Sequence, residues 1–82
     1  FAIVGRLQLD AGDAEAAVGS FETYLATGDA ALREQAMAGQ ALAWRRLGRT
    51  DRELASWLAL LAEYPRSSYA TLARRRLEQE RR

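Results

Sequence analysis

The sequence predicts an all-α protein, and three observations carry the prediction. Apolar residues recur three and four positions apart through most of the chain, and no stretch alternates with period two between turn signals. Many of those apolar residues are alanines, the best helix formers and poor strand formers. Finally, the stretch 12–25 returns in degraded form 36 residues later, at 48–61. Gly12 matches Gly48, Val18 matches Leu54, Ser20 matches Ser56, Phe21 matches Trp57 and Leu25 matches Leu61. Self-similarity at a period of about 20–50 residues marks an array of stacked units.

A first helix is expected over 1–11, where Val4, Leu7 and Ala11 share a helical spacing and Gly12 supplies the left-handed stop. Asp13 is the N-cap of a second helix reaching residue 26, with Ala14, Ala17, Val18, Phe21 and Leu25 on its apolar face. The turn at 26–29 leads into a third helix over 30–47, capped by Asp29. That helix carries two adjoining apolar stripes: Leu32, Ala36, Gly39, Ala43 and Leu47 beside Met37, Ala41 and Trp44. So broad a face suits a central helix touched on more than one side. Gly48 ends it. Thr50-Asp51-Arg52-Glu53 reads as a capping box opening a fourth helix. Leu54, Trp57, Leu58 and Leu61 of that helix are expected to face inward, and it stops at Tyr64-Pro65. Ser67 or Ser68 caps a fifth helix with Tyr69, Leu72, Ala73 and Leu77 on one side. Connections this short make consecutive helices antiparallel neighbours.

Eighty-two residues make one small domain, and a chain of this size buries only about 60–65% of its unfolded surface. Cys, His and Lys are all absent, so every basic side chain is Arg. The usual general bases, nucleophiles and Schiff-base formers are therefore missing, and the chain is expected to be no enzyme and to need no cofactor. Asp10 with Asp13, and Asp51 with Glu53, sit at helix ends, where capping accounts for them better than metal binding. The glycines are spaced as turns and close contacts, and none forms a phosphate-cradling loop. Without Cys there is neither a disulfide nor a thiolate metal site, and the compartment stays open. No charge-poor apolar run reaches the ~18–20 residues of a membrane span. The chain shows no signal peptide and begins with Phe rather than Met, so it reads as a segment of a longer protein whose targeting information lies elsewhere. The net charge of +1 is uneven: 1–65 hold six Arg against nine acids, 66–82 six Arg against two. An acidic body, and arginines at 74–76 and 81–82 with no aromatics between them, argue against nucleic acid as a partner.

These residues resemble the tetratricopeptide repeat family, whose units are helix-turn-helix pairs of about 34 residues. In the first unit Phe1 stands at the first large-apolar position, Val4-Gly5 at the Leu-Gly pair and Gly12 in the turn. Ala17 matches the small residue of the second helix, and Phe21 its aromatic. The second unit offers Met37, Gln40-Ala41, Gly48, Glu53 and Trp57, with Pro65 at the closing proline. It departs from the pattern twice. Glu53 replaces a small residue, and the longer period places about two extra residues in the connection 27–33. The stretch 64–70 followed by Ala73 is similar to junctions in bacterial envelope members, namely outer-membrane assembly lipoproteins and periplasmic cell-division coordinators. The resemblance implies a fragment of an α-solenoid: one helix pair over 1–29, a second over 30–65 and a capping helix over 67–80. It implies a protein–protein interaction scaffold, and it favours the bacterial periplasm or cell envelope over the cytoplasm without fixing the compartment.

The same resemblance assigns a site. In the family the first helix of each pair lines the concave face, which here implies Arg6 and Asp10, then Gln35, Leu42, Arg45 and Arg46, then Arg74, Glu78 and Arg81. Arginine presents paired donors that match carboxylate geometry. The expected ligand is an acidic or C-terminal peptide, held by Arg6, Arg45, Arg46, Arg74, Glu78 and Arg81. A plainer account makes these arginines the solvated face of a terminal helix and complements of helix dipoles. Trp44 and Trp57 read as packing residues, and Gly5, Gly12, Ala17, Phe21, Ala41, Gly48, Trp57 and Pro65 as structural positions. Two other functions stay open: a spacer or self-association module packing through its N-terminal edge, and a regulatory domain beside a DNA-binding or signalling module.

Overall fold

The computed structural model describes residues 2–80 and, within them, the side chains of all but residues 2–4 and 10. Five helices follow one another: α1 (Ala2–Asp10), α2 (Ala14–Ala26), α3 (Arg33–Arg46), α4 (Thr50–Glu63) and α5 (Ala70–Glu80), with no strand among the described residues. Each packs on its neighbour in the chain, and α1 also reaches α3. The expected all-α class holds. None of these helices is long and apolar enough to cross a membrane. Phe1 and Arg81 lie outside the described residues, as do the side chains of Val4 and Asp10.

The turns follow local chemistry. Gly12 and Gly48, after α1 and α3, stand at φ +88° and +73°, a left-handed conformation in which a Cβ is penalised. Asp13 caps α2 by accepting the Ala16 N–H at 3.2 Å. Asp29 does not cap α3. Its carboxylate accepts the Ala31 N–H at 2.9 Å inside the turn, and α3 opens later, at Arg33, behind Leu32. The Leu32 N–H donates instead to the Tyr24 hydroxyl at 2.7 Å, tying the connection to α2. Tyr24 is buried for that reason, whereas Leu25, expected on the inward face, is half-buried.

Two apolar clusters share α3. In the first, Phe21 is 1% exposed and packs among Leu9, Ala17, Val18 and Ala36. Its ring lies between two glycines: a Cβ on Gly5 would stand 2.9 Å from it, and one on Gly39 only 2.4 Å. Helices α1, α2 and α3 thus gather around one ring, which only bare backbone on both sides can admit. Seating Gly5 on the ring rotates α1 so that Leu9 is buried, while Leu7 is 64% exposed and Ala11 lies in solvent. In the second cluster Met37, Ala38 and Ala41 of α3 meet Trp57 and Leu60 of α4 and Ala73 of α5. The breadth expected of α3 is present, although Leu47 at its end is exposed.

Helix α4 differs from its expected form in two ways. The capping box does not form: Arg49 is the N-cap, with no side-chain hydrogen bond, and Thr50 already belongs to the helix. Leu58 is 57% exposed, and Leu60 takes the inward position. Both have one cause. Residues 53, 57 and 60 fall on a single helical face, so burying Trp57 carries Glu53 inward with it. At the far end, Ser67 rather than Ser68 precedes α5, accepting the Tyr69 N–H at 3.0 Å and donating to Glu34. Arg33 and Glu63 join the start of α3 to the end of α4 with hydrogen bonds of 2.8 and 3.0 Å.

Candidate functional site

Because α1 and α3 meet at Phe21, their exposed arginines come together. Arg6, Leu9, Leu42, Arg45 and Arg46 line a cleft of about 420 Å³. Arg45 and Arg46 stand in the last turn of α3, where positive charge complements the helix dipole. Arg46 donates to the Leu9 carbonyl at the end of α1, fixing one wall. Arg6 also borders a smaller recess of about 160 Å³ with Phe21, Gln35 and Tyr69. Arg6 is thus shared between the basic cleft and an otherwise uncharged recess that reaches Tyr69, just before α5.

Of the expected peptide contacts, the structure brings Arg6, Arg45 and Arg46 together. Arg74 and Glu78 are exposed on α5 and do not line this cleft; Arg74 donates to the Pro65 carbonyl at 3.3 Å. Trp57 is wholly buried. Trp44 is half-buried against the first cluster with the Arg52 guanidinium 5.0 Å from its ring centre, a cation–π distance. Ala17 and Ala41 are buried at helix contacts, and Pro65 is exposed in the turn after α4.

The least expected group is ionic and internal. Glu53 is 0% exposed. It accepts the Trp57 indole N–H at 3.0 Å and two bonds from the Arg76 guanidinium, each of 2.8 Å. Arg76 also reaches Gln79 and Glu80 on its own helix. Burial pushes the Glu53 carboxyl up, but the hydrogen bonds of Arg76 and Trp57 and the charges of Arg76 and Arg45 outweigh it and hold the carboxyl below its ordinary value. The Glu53 carboxylate in turn raises the Arg76 guanidinium above its own. With three donors on one carboxylate, the group is a fastener between α4 and α5. Half of its signal was present in the sequence: Glu53 sits on the stripe of Trp57 and Leu60, whereas only the packing of α5 on α4 separates Arg76 from Arg74 and Arg75.

No protein-family model, curated protein or solved structure matches the chain. The described residues form an all-helical fold with a basic, partly apolar cleft between α1 and α3.

Proposed function

We propose that the chain is a non-catalytic scaffold of the tetratricopeptide type that binds an acidic or C-terminal segment of a protein partner across α1 and α3. One observation carries this reading: Arg6, Arg45 and Arg46, from two helices, converge on a cleft whose remaining walls are Leu9 and Leu42. Guanidinium groups beside the half-buried side chain of Leu42 suit a carboxylate next to an apolar side chain. The repeat reading draws on Gly12 and Gly48, which hold the same left-handed turn in each half. It draws also on Phe21 and Trp57, 36 residues apart and both at the centre of a cluster.

The test is a titration with acidic peptides bearing either a free or an amidated C-terminus, against the parent chain and an Arg45→Ala, Arg46→Ala double variant. Each hydrogen bond to a charged group contributes about 1.5–3 kcal/mol, so losing one contact weakens binding about tenfold or more. Binding should also weaken as salt is raised. Affinity unchanged in the double variant rules this cleft out.

A further inference from the structure

The solvent face of α4 is unlike those of the helices around it. Exposed positions on α2 include Glu15, Glu22 and Thr23, and those on α5 include Thr71, Arg74, Arg75 and Glu78. A face turned to water is ordinarily polar in this way. On α4 the exposed centre is Ala55, Leu58, Ala59 and Ala62, without a polar side chain among them. Their spacing of i, i+3, i+4 and i+7 is that of the four-residue hole into which a side chain of a facing helix inserts. Leu58, 57% exposed, is itself such a side chain. Ala55 and Ala59 also border a cleft of about 290 Å³ with Leu25 and Met37 and the polar Arg33, Gln40 and Ser56.

Charge identifies the occupant. Asp51 stands on the same face before the apolar centre, and Arg66 follows it in the turn after α4; both are exposed. The centre of the Ala55–Ala62 group falls between residues 58 and 59, and Asp51 and Arg66 are equally far from that point along the chain. A second α4 laid antiparallel about a two-fold axis there sets Ala55 against Ala62 of the second copy, and Leu58 against Ala59 of the second copy. The same axis places Asp51 toward Arg66 of the second copy, and Arg66 toward its Asp51. Every element of the face is then its own complement, which is what an isologous contact requires. A purely acidic or purely basic partner would satisfy one end and repel the other. We infer that α4 is the surface through which two copies of this chain associate antiparallel. A helix of 14 residues is about 21 Å long. One such face buries less than the ~1,200 Å² of a standard interface, so the dimer is weak and concentration-dependent. Arg6, Arg45 and Arg46 are on other helices, outside this contact.

Sedimentation velocity from low micromolar to near-millimolar concentration tests the inference. The parent chain shows a reversible monomer–dimer equilibrium. Leu58→Glu drives a carboxylate against Ala59 of each copy, beside the axis, and raises the dissociation constant about tenfold or more. Arg66→Asp also weakens the dimer, and adding Asp51→Arg to it restores affinity to within about twofold of the parent. Helix content by circular dichroism checks each variant. Arg66 lies outside any helix, so the charge exchange decides the matter even if Leu58→Glu loses structure. A parent chain that stays monomeric, a dimer indifferent to Leu58→Glu, or a double variant no tighter than Arg66→Asp overturns it.

Discussion

Replacing Arg76 by Ala tests the Glu53 fastener most directly. The change deletes two of the three hydrogen bonds on a carboxylate that is 1% exposed and leaves it facing only the Trp57 N–H. Removing one partner of a buried pair costs about 3–5 kcal/mol, mostly the penalty of stranding the other charge. A domain of this length is stable by about 4–12 kcal/mol in all. The variant should therefore lose a large part of its stability, and its Tm should fall by about 12 °C or more, at 4–8 °C per kcal/mol. Urea unfolding followed by circular dichroism and by the fluorescence of Trp44 and Trp57 measures the first quantity, and a thermal melt the second. Arg75→Ala, one residue away and exposed, should stay within about 0.5 kcal/mol of the parent. A second comparison isolates the stranding cost: Glu53→Leu with Arg76→Met removes both charges, and apolar replacement of a buried pair is often neutral or better. An Arg76→Ala loss below about 1 kcal/mol would match a screened surface pair and refute the argument.

The same pair sets the acid limb of stability. The Glu53 carboxyl is held below its ordinary value of 4.5, so around that pH the unfolded chain binds more protons than the folded one. The contribution is complete above pH 4.5 and drains away as pH falls through the lower folded value. In Arg76→Ala burial acts on Glu53 with only the Trp57 hydrogen bond and the Arg45 charge left to oppose it, so the gap between variant and parent should narrow in acid; melts at pH 7, 5, 4 and 3 would show it. Two helical glycines should respond with opposite signs to Ala. Gly39→Ala drives a Cβ into the Phe21 ring and should cost about 1–3 kcal/mol. Gly19→Ala, on the exposed side of α2 with no atom within 4 Å, should gain about 0.5–1 kcal/mol; urea midpoints of the two variants separate them.

Helix identity was legible because the glycine stops and the Asp13 cap act over a few residues. Which side of α1 and α4 faces inward was not, because it depends on what lies opposite. Val4, Leu7 and Ala11 form a good stripe on paper, yet the fit of Gly5 to Phe21 decides how α1 is turned. Thr50 and Glu53 carry the spacing of a capping box, but the burial of Trp57 on the same side claims Glu53 first. Arg76 could be distinguished from Arg74 and Arg75 only once α5 was known to lie on α4. The basic cleft was half legible. Arg45 and Arg46 announce themselves at a helix end, while the closeness of Arg6 follows from the α1–α3 contact, and Tyr69 both packs on the second cluster and borders the recess beside Arg6.

The ring held between Gly5 and Gly39 has a consequence for how this protein diverges. Three positions far apart in the chain form one steric unit, because each glycine is required by the aromatic and the aromatic fills what the glycines leave open. A Cβ at either glycine collides unless the ring has already shrunk, and a shrunken ring leaves a void, which in a core costs several kcal/mol. Single steps away from this arrangement are therefore penalised in either order. Descendants should keep all three residues or exchange them together, leaving a covariation among positions 5, 21 and 39 that marks the α1–α3 junction even where the surrounding alanines have drifted.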